Sequence, residues 1–497
     1  MKWIVYNLLF AAVYPFLLPG FLLRMLRRGG YANRFWDRFA LYPEGLFGKS
    51  RPLFESHALP TAGCRLPTAN FIWIHAVSVG EVQVAGQLMR EWRKVDPSVR
   101  FCFSTTSSTG WKMAEREVKA GGEGEGGGDV LIYNPLDFPN FVKSALKTVR
   151  PRAIVLTESE IWPNFIRQAK KMGMPLFLVN ARVSDRSAPR YRFARFFFKD
   201  VLASFTRIFA QSDLDKARLV AAGAPADKVE VTGSFKFDVA RRNEAKESEL
   251  REWLLGSLKD GIGSDRVEIG PSGVGSDAID SNSTLNVPKI LLGGSTWPGE
   301  DEVLLRIYKK LLNSTVPPPT SCLPPDSPTS CLQPLLVIAP RHFEKADAVE
   351  ANIRKAGFAC VRRSRSDVPS PTSHLPPVFL ADTTGELMGL YGIADVVFVG
   401  KSLCAHGSQN MIEPCLCGKP TFVGPYTENF RPVMSDLLAA DAIVQVKDEA
   451  ELEERIVEVF CASGEDVASP LGERARVAVE RRRGVVAKCL ASVRSAL

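Results

Sequence analysis

Histidine is scarce in this chain, with five in 497 residues. Ten cysteines are present, but none forms a Cys-x-x-Cys pair, and Cys415-Leu-Cys417 has the wrong spacing for one. No metal site built from these residues is expected, and the cysteines read as reduced thiols of a cytoplasmic protein. No small-residue cleavage site follows the first apolar run, which argues against a removable signal peptide. The excess of basic residues is only +8, so its placement matters more than its size. With 45% hydrophobic and 24% charged residues the chain is globular, not disordered. Its length is too great for one ordinary core, and two or three domains are expected.

The first segment departs from this pattern. Trp3 to Leu23 is a nearly uncharged apolar run, long enough to span a bilayer, which needs about 20 residues. Arg24, Arg27 and Arg28 follow at once, then Arg34 and Arg38, which favours a cytoplasmic body. A membrane anchor over 1–28 is expected. Pro15 and Pro19 could bend it, so lying in the interface is the alternative to spanning. Residues 29–68 are short, basic and turn-rich, and read as a neck at the membrane surface.

Strand and helix signals then alternate. Phe71-Ile-Trp-Ile-His-Ala76 is a buried strand, Val77-Ser-Val-Gly80 breaks it, and Val82, Ala85, Leu88, Met89 and Trp92 repeat at helical spacing. Similar units run to about residue 240, and a second series begins at Lys289. Alternation of this kind means βαβ units and parallel sheets. The fold class expected is α/β, with two doubly wound Rossmann-like domains, 29–240 and 288–497, facing a cleft. Residues 241–287 are expected as linker and flexible insertion. Gly121–Gly128, 316–334 and 368–377 read as surface insertions with no chemistry.

Several strand ends carry candidate chemistry. Glu81 stands beside Gly80 where a strand passes into a helix, well placed to take a proton; the same position suits a residue that only supports the helix start. Glu158 and Glu160 follow a strand end in Thr157-Glu-Ser-Glu-Ile-Trp-Pro-Asn164 and can both reach the rim, or merely serve a helix start. Lys236 lies in Gly233-Ser-Phe-Lys-Phe-Asp238 and on its own would be taken for a solvated lysine. Arg182, Arg190, Arg192 and Arg195 interleave with Tyr191, Phe193 and Phe196–Phe198. Such a mixture suits nucleic acid, but beside an anchor it suits anionic lipid better; an ordinary half-buried helix is the alternative. In the second series, Gly293–Glu300 is a loop rich in N–H donors, suited to phosphate. Arg341 can fork onto a phosphate or carboxylate. Thr383–Leu387 and Gly400–Glu413 are further loops of this kind, and Glu413 could accept from two ribose hydroxyls. Together these loops describe a nucleotide-sugar site.

The motif His75-Ala-Val-Ser-Val-Gly-Glu81 resembles the signature of the 3-deoxy-manno-octulosonic acid (Kdo) transferases of bacterial lipid A assembly. The motifs at 157–164, 233–238, 339–342, 383–387 and 400–413 agree with it in order, over roughly 70–240 and 288–445. The resemblance implies a GT-B glycosyltransferase that moves Kdo from CMP-Kdo to a lipid A precursor at the cytoplasmic face of the bacterial inner membrane. It implies Glu81 as base, Glu158 and Lys236 as transition-state support, and a basic face meeting the acceptor and membrane lipids. CMP would contact Pro340, Arg341, Thr384, Gly385, Glu386 and Asn410, Met411, Ile412, Glu413. No cofactor, no metal and no nucleic acid are expected. The last loop departs from the family: Lys401 stands in place of a glycine, Gln409 in place of a histidine, and Ser408 and Met411 also differ. Two alternatives therefore stay open, a GT-B enzyme with another nucleotide sugar and a membrane-tethered nucleotide-sugar-binding protein without turnover.

Overall fold

The computed structural model describes residues 2–28, 34–47, 71–120, 128–262, 288–314, 333–365, 375–461 and 468–497. The expected neck lies mostly outside these residues, as do nearly all of the three insertions. The described chain forms two compact units, Met1–Val239 with Arg483–Leu497, and Ala240–Arg482.

The first unit carries a parallel sheet of β1 (Phe71–His75), β2 (Arg100–Thr105), β3 (Val130–Tyr133), β4 (Ala153–Thr157), β5 (Leu176–Ala181), β6 (Arg207–Ala210) and β7 (Val229–Val231). Their order is β3-β2-β1-β4-β5-β6-β7. Every residue of β1, β4 and β5 is buried, as helices on both faces of a parallel sheet require. The chain runs outward from β1 to β3 and then returns to β4 on the other side, so the strand order reverses between β1 and β4. In open α/β sheets that crevice, at the carboxyl ends of the strands, is where ligands bind.

The second unit repeats the plan with β8 (Ile290–Thr296), β9 (Leu335–Pro340), β10 (Cys360–Arg362), β11 (Val378–Leu380), β12 (Val396–Val399), β13 (Thr421–Val423) and β14 (Val444–Gln445). Their order is β10-β11-β9-β8-β12-β13-β14, all parallel, and the reversal lies between β8 and β12.

The units differ at their ends from the domains read in the sequence. Part of the expected linker is a helix, Glu244–Ile262, that belongs to the second unit and packs on the helix Leu387–Ile393. Gly389 and Gly392 permit this, since a Cβ on Gly392 would stand 2.2 Å from Glu247 Cδ. At the other end the helix Val485–Ser495 joins the first unit. Val485, Val486, Cys489, Leu490 and Val493 enter its core beside Val82, Leu88 and Phe235. Asp238 fastens it by accepting from Gly484 N at 2.6 Å and Val486 N at 2.7 Å.

The expected membrane span requires correction. Trp3–Leu23 lies within a helix, Lys2–Arg28, but among the described residues no helix is long and apolar enough to cross a membrane. One side of this helix is committed to protein. Tyr6 donates to Asp137 at 3.0 Å, Asn164 Nδ2 donates to Asn7 Oδ1 at 2.8 Å, and Phe10 meets Phe138 with ring centroids 5.0 Å apart. Asp137 also accepts from Asn164 N and Phe165 N, and burial pushes its carboxyl up to about 7. Tyr6 and Asn7 face polar partners on the unit, so this side of the helix is spent on protein contacts. Ile4, Leu8, Leu9, Val13 and Phe16 remain exposed.

Candidate active site

Glu81 opens the helix Val79–Val95 beside the reversal of the first sheet. Ser78 caps that helix: its hydroxyl accepts from Glu81 N at 3.3 Å and donates to Glu81 Oε1 at 2.8 Å. Val77 N donates to Glu81 Oε2 at 3.0 Å, so the Glu81 carboxylate does serve the helix start. It is also joined to the next strand. The Thr157 hydroxyl at the end of β4 lies 2.9 Å from His75 O and 3.4 Å from Glu81 Oε2. Burial raises the Glu81 carboxyl above its ordinary range, Glu160 and then Glu158 add to the rise, and the bonds from Val77 and Ser78 oppose it. A carboxylate so placed is a stronger base than a solvated one.

Glu158 follows β4 with φ 49°, in the left-handed region. Asn180, at the corresponding end of β5, has φ 52° and donates to Glu158 Oε1 at 3.2 Å. The same Asn180 accepts from Phe235 N at 3.0 Å, which sets the turn leading into Lys236. Burial lowers the Lys236 ammonium, Glu158 draws it back up, and Arg182 lowers it further. Glu81, Glu158, Glu160, Lys236 and Arg182 thus act on one another electrostatically. Arg190, Arg192 and Arg195 do not join them; they are exposed beside Phe193 and Phe196. The sequence marks Asn180 only as the start of the strand-end motif Asn180-Ala-Arg-Val-Ser184, and gives it no role. Its signal is its place at a strand end, two residues before Arg182.

In the second unit the expected phosphate loops have a different occupant. Glu300 is fully buried, and its carboxylate accepts from Trp297 N at 2.8 Å, Lys401 N at 2.8 Å, and Ser402 N and Leu403 N at 3.1 Å. Trp297 N from the Gly293–Glu300 loop and Lys401, Ser402 and Leu403 N from the Gly400 loop are therefore taken up by the Glu300 carboxylate, which binds the ends of β8 and β12 together. Gly400 is required there, because a Cβ would stand 2.4 Å from Ser295 O. Lys401 and Ser408 have a backbone in the left-handed region that favours glycine, with φ 56° and 59°. The Lys401 ammonium lies 5.0 Å from the centre of the Trp297 ring, and Trp297 in turn meets His342 at 5.1 Å.

Arg341 is exposed at the end of β9, its N–H bonded to Thr296 O at 3.1 Å, and its charge lowers the Glu413 carboxyl that burial raises. A cavity joins Pro340 and Arg341 to Thr384, Gly385 and Glu386. Burial would raise the Glu386 carboxyl, but bonds from Arg363, Thr383 and Lys246 outweigh it and hold it at about 2. Glu386 is thus engaged within the protein. Asn410 accepts from Ile412 N at 3.2 Å and donates to Glu413 Oε1 at 3.0 Å. Met411 and Ile412 are fully buried, so they can offer a ligand backbone only. Among the described residues no cluster suited to a metal ion is present.

A family model described as 3-deoxy-D-manno-octulosonic-acid transferase (kdotransferase) matches residues 33–239. The 3-deoxy-D-manno-octulosonic acid transferase of Bordetella pertussis is 32% identical over 434 residues, 87% of this chain and 86% of that protein. The chain belongs to this transferase family. The enzyme of the same name from Haemophilus influenzae is 29% identical over 428 residues, 85% of this chain and 86% of its own length. Among solved structures, HepE of Anabaena in complex with UDP aligns over 86% of this chain and 100% of its own, with a TM-score of 0.53 and 12% identity. At that identity the likeness concerns the fold alone, and the fold is GT-B-like.

Proposed function

We propose that the chain transfers Kdo from CMP-Kdo to a sugar hydroxyl of a lipid A precursor of the lipid IVA type, in lipopolysaccharide core assembly, by one inverting displacement. The observation that carries this reading is the buried, raised Glu81 carboxylate at the reversal of the first sheet, held ready by Ser78 and Val77. Glu81 takes the proton of the acceptor hydroxyl as the oxygen attacks the anomeric carbon. CMP leaves with the bonding electrons, and Arg341 steadies its phosphate. Lys236, with Glu158 behind it, supports charge at the reacting centre. The names of the two relatives support Kdo as the sugar.

The acceptor is a lipid, and one surface of the first unit suits it. Phe16 and Phe193 are 85% and 89% exposed, and Ile4, Leu8 and Phe196 are also exposed. The helix Lys2–Arg28 adjoins the Phe193–Phe196 segment, since Lys2 pairs with Asp200. Arg190, Arg192 and Arg195 edge the same segment. In this reading the helix lies in the interface of the inner membrane on its cytoplasmic side, apolar groups in the acyl boundary and arginines at the headgroups.

The test incubates the purified protein with CMP-Kdo and a lipid A precursor and reads product mass. Glu81→Gln should leave CMP binding intact and lower kcat by about 10²–10⁴-fold. Full turnover in that variant would remove Glu81 from the mechanism, and transfer from a UDP- or GDP-sugar in place of CMP-Kdo would change the donor.

A further inference from the structure

His75 ends β1 with no exposed surface. Its Nδ1 lies 3.0 Å from the Ser104 carbonyl oxygen and 2.9 Å from the Ser104 hydroxyl. A carbonyl oxygen only accepts, so Nδ1 carries a hydrogen. The Ser104 hydroxyl accepts from Trp73 Nε1 at 2.8 Å and can give its own hydrogen to Asn134 Oδ1 at 3.3 Å. The other ring nitrogen, Nε2, is buried and has no hydrogen-bond partner among the described residues. What it faces is Glu160 Oε2, at 3.5 Å.

His75 Nε2 has no access to water, and although Glu160 keeps 17% of its side chain exposed, a buried bare acceptor does not face a carboxylate oxygen without cost. An unprotonated Nε2 would aim its lone pair at a carboxylate. One proton between them resolves the conflict, either on the imidazole as an ion pair or on the carboxyl as a donor. Either way the pair has no net charge. Glu160 is held in place by Trp162 Nε1, which donates to Oε2 at 2.9 Å.

We propose that His75 and Glu160 share one proton behind Glu81, and that this neutral pair keeps Glu81 from losing its proton-accepting range to a full negative charge beside it. Both are positioning residues for the base and neither touches the substrate. The inference rests on the reading of Glu81 as base. The shared proton is not the one removed from the acceptor. The charged or titratable groups facing Glu160 are His75 from β1, Glu81 from the helix Val79–Val95, and Tyr191 from the helix Ala188–Phe193. Glu158 sits on the same turn and faces Lys236, which Arg182 also faces.

The test is the acid limb of kcat/KM against pH in the full-length protein, for the parent, His75→Gln and Glu160→Gln. If the proton is shared, His75→Gln leaves Glu160 with a full charge and moves the limb up by about half a unit to one unit. Glu160→Gln replaces one neutral pair by another and leaves the limb nearly in place. The opposite pattern, an unmoved limb in His75→Gln and a clear fall in Glu160→Gln, would overturn the proposal, because it means Glu160 is already fully charged. Imidazole ¹⁵N resonances of the parent read the pair without turnover and cover the case in which His75→Gln misfolds. A protonated or strongly hydrogen-bonded Nε2 is expected, and a free unprotonated Nε2 counts against the pair. Glu81→Gln checks the base separately: it should abolish the limb, and a limb that survives there unseats the base while the resonances still judge the pair.

Discussion

The two sheets share a plan and place opposite charge at the same topological point. Where the first sheet reverses, between β1 and β4, carboxylates gather: Glu81, Glu158 and Glu160, with Lys236 as their counterweight. Where the second reverses, between β8 and β12, Glu300 is fully buried with backbone N–H groups around its carboxylate, and Asp301 is buried beside it. The cations at the neighbouring strand ends are Arg341 and Lys401, and Arg341 also acts on the Glu413 carboxyl. A carboxylate that receives four good N–H bonds is structural, whereas one that keeps a raised proton affinity can do chemistry. The difference teaches that a glycine-rich loop at a helix start is not by itself a phosphate site, because a side chain of the protein can occupy its N–H groups, as Glu300 does here.

The largest expected effect strikes the second reversal. Glu300→Gln leaves several buried N–H groups facing an amide with one acceptor oxygen, and should cost about 3 kcal/mol or more of stability in denaturant unfolding. It should also abolish nucleotide binding; near-native stability would mean that the loop holds itself. Arg341→Ala should weaken CMP binding in calorimetry about 10- to 100-fold, the loss of one charge-assisted contact, with little change in stability. The first reversal is sharpened by pH. Glu81 must be ionised to act, and burial has raised its carboxyl, so kcat/KM should fall with decreasing pH through a limb above the ordinary glutamate value of about 4.3. A limb at or below that value would remove the contrast between the two edges. The smallest effect belongs to Lys401→Gly. It relieves a left-handed backbone, worth about 1–2 kcal/mol, and loses a Trp297 contact of about 0.5–1 kcal/mol. Thermal unfolding should show a net gain of about 0–1.5 kcal/mol, while the KM for CMP-Kdo rises a few-fold.

Much of this was legible because the signals are local. Phe71–Ile74 is continuously apolar and forms most of a central strand; Gly80 and Glu81 mark the passage into a helix, as strand-end motifs do throughout both sheets. The first helix misleads for the opposite reason. Trp3–Leu23 is apolar enough along the chain to suggest a span, but Tyr6 and Asn7 have partners at Asp137 and Asn164, far off in sequence. The end of the chain behaves likewise, since nothing in Val485–Val493 says which unit its apolar stripe will join.

Taken alone, the sequence determined the alternation of strands and helices, the two parallel sheets, and the strand-end positions of Glu81, Glu158, Lys236 and Arg341. These depend on periodicity and on turn residues, which act over a few neighbours. Only the tertiary structure decided which acids remain available for chemistry. Glu300 and Glu386 are consumed by N–H groups and cations brought in from distant segments, while Glu81 keeps a raised proton affinity because burial opposes its ionisation. Solvation and charge at a carboxylate are set by whatever packs around it, and that is fixed only when strands from across the chain meet.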